Sequence, residues 1–166
     1  MFKRKLSSDI SIEKTIRACP LFLGLSTSEL RMLLSISHVR DYSVDEKIFT
    51  EGTTGLCFYI IIKGSLEIET EAASGNAVLK TYTEGSFFSE SHLFSETNHT
   101  VSCVAREVTK LLIFSKPDFE DLVKIKPKLG NKLLMRFLAD MSEKMEILNR
   151  ENRMLIEKNL VKESHS

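Results

Sequence analysis

The spacing of apolar positions divides the chain into three stretches of different period. Residues 11–17 read as a short helix. Ser26-Thr27-Ser28-Glu29, ahead of Leu30, Leu33 and Leu34, has the form of a capping box, with a hydroxyl at the N-cap and a Glu three positions on. Together these predict a helical N-terminal subdomain over about 11–37. The period then shortens. Residues 39–50, 57–63, 65–72, 77–83, 101–106 and 109–114 are short runs rich in Val, Ile, Phe, Tyr and Thr, separated by Gly52, Gly55, Gly64, Ser74-Gly75-Asn76 and Gly85. Strands at this spacing predict an all-β sandwich or barrel rather than βαβ units. From Lys116 the period is helical again: Pro117 opens a brief helix carrying Phe119, Leu122 and Val123, and Pro127 stands where a first-turn proline starts a long one.

That last helix carries the cleanest periodic signal. Leu134, Leu138, Met141, Met145, Leu148, Asn152, Leu155 and Asn159 follow alternating steps of four and three, a 3.5-residue seam. With Leu134, Met141, Leu148 and Leu155 at d, positions a are Leu138, Met145, Asn152 and Asn159. Leu-rich d positions with Asn at a favour a parallel two-stranded coil, because the Asn amides hydrogen-bond across the pair only in register. The seam therefore predicts a parallel homodimer. The alternative, a helix lying on its own barrel, runs short beyond Leu148, where one small domain leaves little surface to cover. Glu143, Lys144, Glu146, Arg150, Glu151, Arg153, Glu157 and Lys158 are expected to keep the outer face solvated.

Composition narrows the functional classes. A length of 166 residues holds one domain and a short appendage. The 23 basic and 23 acidic residues cancel, so the chain has no footprint for non-specific nucleic-acid binding. Cys19, Cys57 and Cys103 form no CxxC pair and read as reduced, mostly buried thiols. Ser7, Ser8 and Asp9 follow the basic start where a signal peptide needs an apolar run, and no stretch approaches the ~18 apolar residues of a membrane span. A cytoplasmic protein with no membrane partner is expected, and the acceptor pattern Asn98-His99-Thr100 is read as accidental.

Catalytic templates fail: GxxxxGK[ST], GxGxxG after a strand, GxSxG and HExxH are all missing. His92 and His99 stand seven residues apart with Cys103 beyond, but without paired ligand spacing they read as ordinary polar loop residues, not a metal site. Ser89 to His92 are adjacent residues, which do not converge as a triad. The expectation is a non-enzyme with no catalytic residue.

The most informative segment is EGSFFSESHLFSETNHTVSCVA, residues 84–105. It reads as strand, short helix and strand, and backbone N–H groups at a free helix N-terminus suit an anion such as phosphate. This segment, with CPLFLGLSTSELRMLL and DYSVDEKIFTEG before it, FYIIIKGSLEI in the first strands and KPDFEDLVKIKPKLGNKLLMRFLADM after it, resembles the cyclic nucleotide-binding domain shared by the bacterial catabolite activator, the regulatory subunit of protein kinase A and cyclic nucleotide-gated channels. The resemblance runs from about Ala18 to Arg150. It implies an α+β, mainly β fold: a jelly-roll β-barrel with N-terminal helices, a short cassette helix and a long C-terminal helix through which dimeric members pair.

The resemblance also implies a ligand site. Phe88 and Glu90 match the family's phosphate-binding cassette, in which the Glu accepts the ribose 2′-hydroxyl. Nine residues on, where the family has Arg, stands His99. Losing that charge-assisted contact costs roughly 1.5–3 kcal/mol, about one to two decades of affinity. Ser89 replaces the cassette glycine, His92 a small residue, Asp45 a turn glycine and Leu56 a turn aspartate. Near the base only Asn149 offers a polar group. The implied ligand, cyclic AMP or cyclic GMP, is then met by Gly85, Phe88, Ser89, Glu90, Ser91, His92, His99, Thr100, Val101 and Asn149. The opposite reading is also open: His92, His99 and Thr100 with the cassette N–H groups are then expected to form a substitute phosphate site whose affinity rises as pH falls.

The expected organisation is a flexible start over 1–10, the nucleotide-binding-like domain over 11–126, a coiled-coil helix over 127–160 and a tail over 161–166. The expected function is that of a dimeric regulatory module that binds a cyclic nucleotide weakly or with altered specificity and acts through an effector protein, without direct DNA binding. Two readings stay open beside it: a scaffold that has lost nucleotide binding, and a catabolite-activator-type regulator lacking its own helix-turn-helix.

Overall fold

The computed structural model describes residues 10–72 and 75–163. Helix α1 spans Ile10–Ala18 and buries Ile12 and Ile16; a single 3-10 turn, Pro20–Phe22, leads to α2, Thr27–Ser35. The expected capping box starts α2. The Ser26 hydroxyl accepts from the Glu29 N–H at 3.3 Å and the Glu29 carboxylate accepts from the Ser26 N–H at 2.8 Å, filling two donors that a helix start leaves unpaired. Eight strands follow: β1 Ser37–Tyr42, β2 Lys47–Phe49, β3 Cys57–Lys63, β4 Ser65–Ala72, β5 Gly75–Thr83, β6 Phe87–Phe88, β7 Ser102–Ala105 and β8 Thr109–Ser115. They form two antiparallel sheets, ordered β1-β8-β3-β6 and β2-β7-β4-β5.

β3 and β8 are apolar on both faces because the first sheet lies between two layers. Phe58, Ile60, Ile62, Leu112 and Phe114 face a cluster shared with the helices, while Tyr59, Ile61 and Leu111 face the other sheet. A strand buried on both sides loses its alternation, which accounts for the unbroken FYIII run. Helix α3, Lys116–Ile125, has Ser115 as N-cap, its hydroxyl accepting from the Asp118 N–H at 3.3 Å. Helix α4, Pro127–Glu163, turns Leu129, Leu133 and Phe137 inward. The two helices cross closely at Gly130, where an added Cβ would sit 2.9 Å from the Val123 Cα.

Three local expectations are corrected and one strand, β6, is added. Residues 39–50 are not one strand: the chain turns a corner at Asp45, whose φ is 61°, and β1 and β2 belong to different sheets. Strand β6 was not legible as a run. The cassette helix is one 3-10 turn, Glu90–Leu93, too short for the helix N-terminus expected to receive an anion. Gly75 and Asn76 pair with Ala72 and Glu71 inside the β4–β5 ladder, with Ser74 outside the described residues.

The seam of α4 does not lie on its own barrel. Leu134, Leu138, Met141, Met145, Leu148 and Leu155 are all exposed, Leu148 by 63%. Asn152 is exposed as well, and the side chain of Asn159 lies outside the described residues, as do residues 1–9 and 164–166. Among the described residues no helix is long and apolar enough to cross a membrane. The three thiols are free, Cys19 and Cys103 buried and Cys57 half-buried.

Candidate ligand-binding cassette

The approach to the cassette is pinned to the central strand. The Gly85 N–H donates to the Ile61 carbonyl and the Ile61 N–H donates to the Ser86 carbonyl, both at 2.9 Å. Phe87 and Phe88 then pair with Ile60 and Tyr59. Phe88 is buried, stacked on Tyr59 with centroids 5.0 Å apart, and Phe49 and Tyr82 lie at 6.3 and 5.5 Å. These rings belong to the core between the two sheets and hold the start of the cassette in place.

Ser89 turns the chain into the site. Its φ is 66°, the left-handed region, where a side chain costs about 1–2 kcal/mol. Part of that cost is offset by the bond between Ser89 Oγ and His92 Nδ1 at 3.0 Å. The turn brings His92 against Gly55, where an added Cβ would meet the imidazole Cδ2 at 1.8 Å, so any larger residue there would displace the ring. The buried His92 Nε2 has no hydrogen-bond partner among the described residues.

His99 closes the far side. Its ring lies flat on Phe49, centroids 3.7 Å apart and 5° from parallel, and 4.3 Å from the His92 ring. The backbone holds it there: the His99 N–H donates to the Thr53 carbonyl, the Gly52 N–H to the His99 carbonyl, both at 2.8 Å, and the Gly55 N–H to the Thr97 carbonyl at 3.1 Å. Only 5% of His99 is exposed. Burial, reinforced by neighbouring His92, pushes its pKa down to about 4. At pH 7 this ring is neutral. The two histidines are therefore not ordinary polar loop residues, as the sequence implied.

Glu90 is 8% exposed, and its carboxylate accepts from the Lys144 ammonium on α4. Lys144 also lies 2.8 Å from Asp140 Oδ2 and 4.7 Å from the centre of the Phe87 ring. Burial acts to lower the Lys144 pKa, but hydrogen bonds to Asp140 and Glu90 outweigh it and the net direction is up. Lys144 thus corrects the expectation of a solvated outer residue. The signal that could have found it is periodic: Leu129, Leu133, Phe137, Asp140 and Lys144 continue one inward stripe, so the charged pair stands on a face that buries what it carries.

The fold gathers Gly85, Phe88, Ser89, Glu90, His92 and His99 around this turn. Ser91 and Thr100 are exposed and Val101 is half-buried. Asn149 is exposed on α4, about 7.5 Å along the axis beyond Lys144.

A family model described as "Cyclic nucleotide-binding domain" matches residues 39–126. The cyclic AMP receptor protein of Thermus thermophilus is 28% identical over 138 residues, 81% of this chain and 64% of its own length. The crystal structure of the Thermus thermophilus catabolite activator protein superposes with a TM-score of 0.63 at 28% identity, covering 78% of this chain and 63% of that one. A cAMP-dependent protein kinase regulatory subunit from Mycosarcoma maydis is 28% identical over 97 residues, 58% of this chain and 18% of its own. The chain thus spans less than two thirds of these curated relatives. A cyclic nucleotide-binding domain from Methylobacillus flagellatus shares the fold with a TM-score of 0.73 at 23% identity, covering 87% of this chain and 80% of its own. Over more than half its length, from the first strand of the barrel through α3, this chain belongs to the cyclic nucleotide-binding domain family.

Proposed function

We propose that this protein is a non-enzymatic, dimeric regulatory module of the cytoplasm that binds a cyclic nucleotide weakly or with altered specificity and acts through a partner protein. The observation that carries the reading is the cassette itself: Glu90 stands buried at the acceptor position while His99, neutral at pH 7, stands where a permanent cation would hold the phosphate. Residues 11–126 form the ligand unit. Gly85, Phe88 and Ser89 shape the turn, Ser91, His92, Thr100 and Val101 rim it, and Asn149 stands farther out on α4. Residues 127–160 form the dimer helix, which buries Leu134, Leu138, Met141, Met145, Leu148 and Leu155 against a second copy, with Asn152 and Asn159 setting the parallel register. Balanced charge favours a protein partner over direct contact with DNA.

The test is calorimetric titration of the full chain with cyclic AMP, cyclic GMP and a cyclic dinucleotide, with sedimentation alongside. Measurable but weak binding by a dimer is the expected result. Leu148→Pro converts that dimer to monomer, since an interior proline costs about 3 kcal/mol or more. A monomeric wild-type chain at high protein concentration overturns the coil. Lys144 seated on Glu90 favours one second reading, a scaffold that has lost nucleotide binding. The absence of both heat and a thermal shift at millimolar ligand decides for the scaffold.

A further inference from the structure

Among the described residues, Lys144 is the outermost point at which α4 is tied to the barrel. Every residue over 145–158 is exposed, whereas Lys144 reaches the Glu90 carboxylate, lies 2.8 Å from Asp140 Oδ2 and rests over the Phe87 ring. The Glu90 side chain is 10% exposed, so with the ammonium in place there is little room for another donor. Lys144 also stands between Met141 and Met145, two residues of the exposed seam. One side chain therefore touches the cassette acceptor and belongs to the segment that presents the seam.

Resting on the reading of Glu90 as a ligand acceptor, we propose that Lys144 is an internal competitor for that acceptor: it latches α4 to the cassette, and a ligand whose hydroxyl bonds Glu90 releases the helix. The chemistry suits an exchangeable contact. An ammonium is a compact point charge on a flexible four-carbon stem, without the bidentate fork that fixes an arginine on a carboxylate. A hydroxyl donor replaces its hydrogen bond but not its charge, and the freed ammonium keeps Asp140 as partner and regains water. Helix release and cassette occupancy are two ends of one equilibrium, so each shifts the other by the same factor. The ligand's effect then reaches a partner through the position of the seam.

Two readouts on the full chain separate this latch from the nucleotide reading beneath it. In hydrogen exchange without ligand, Lys144→Met speeds exchange over both 87–93 and 138–144 by roughly threefold or more, Glu90→Gln does the same, and the double variant adds nothing. Additive effects, or an effect on one segment alone, overturn the latch. With cyclic AMP as the calorimetric probe, Lys144→Met binds about tenfold tighter than wild type; binding no tighter than wild type overturns the latch. No binding by either protein, with the exchange result intact, overturns the nucleotide reading and leaves the latch standing as a helix tether.

Discussion

Glu69 and Glu90 are both buried carboxylates, and each is met by a cation, but the two are fastened differently. Glu69 on β4, 5% exposed, accepts from Arg106 and, at 3.0 Å, from Asn76 Nδ2. The same guanidinium donates to Glu67 at 2.6 Å and to Asp45 at 2.9 Å. All these groups sit on one sheet and its corner, where strand register sets their places before any side chain is chosen. Glu90 follows the strained Ser89 and takes its cation from Lys144, on a helix that leaves the barrel just beyond. A planar fork shared among three carboxylates is a fixture, whereas a single ammonium at the edge of a helix is replaceable. The proposed change of state therefore belongs at the cassette end, not in the sheet.

Arg106→Met tests the fixed side and carries the largest effect. It leaves Glu69 buried without its cation; because the arginine side chain is 36% exposed, the expected loss is about 2–3 kcal/mol, below the ~3–5 of a fully buried pair. Urea denaturation at pH 7 measures it, and a loss under about 1 kcal/mol removes the contrast with Lys144.

Acidification strikes the cassette next. The folded-state pKa of His99, about 4, lies below its unfolded value near 6.5, so at pH 7 neither state binds the proton and its contribution is intact. As pH falls from 6.5 towards 4 the unfolded chain takes up the proton first, and stability drops by about 2 kcal/mol between pH 7 and pH 5. His99→Phe, which keeps the stack on Phe49, flattens that part of the profile. A wild-type profile identical to that of the variant contradicts the buried neutral ring.

Lys144→Met is expected to cost only about 1 kcal/mol in the same urea assay, because local opening of the helix edge lets water reach Glu90. A loss equal to that of Arg106→Met would place both carboxylates in the same class. The smallest effect is a gain: Ser89→Gly relieves the left-handed backbone and stabilises by about 0.5–1 kcal/mol, less what the bond to His92 contributed. Destabilisation by that change would mean the Ser89–His92 bond outweighs the strain.

The same contrast marks what was legible in the sequence. Strands β3, β4 and β8, the capping box at Ser26 and the proline starts of α3 and α4 follow from local pattern, because period and cap chemistry act within a few residues. The corner at Asp45 was hidden, since apolar residues continue on both sides and only a positive φ at a non-glycine marks the break. β6 is two residues long and has no period to read. The burial of His99 comes from the 97–99 loop bonding to residues 52–55, a contact between loops that no spacing records. The charge of Lys144 reads as solvated, whereas its place on the inward stripe puts it against the barrel. The resemblance implied the fold, which the two sheets and their helices bear out, and an acceptor role for Glu90 that stays a proposal; the side chains that fill the cassette are this chain's own.

The central claim is that the cassette keeps the family's acceptor but has exchanged a permanent cation for a neutral, buried imidazole. Calorimetric titration of cyclic AMP into wild type and His99→Arg at pH 7 tests it most directly. An arginine there stacks on Phe49 as the imidazole does and restores a charged fork for the phosphate. The account predicts binding about 10- to 100-fold tighter in the variant. Equal or weaker binding by a folded His99→Arg chain would contradict it.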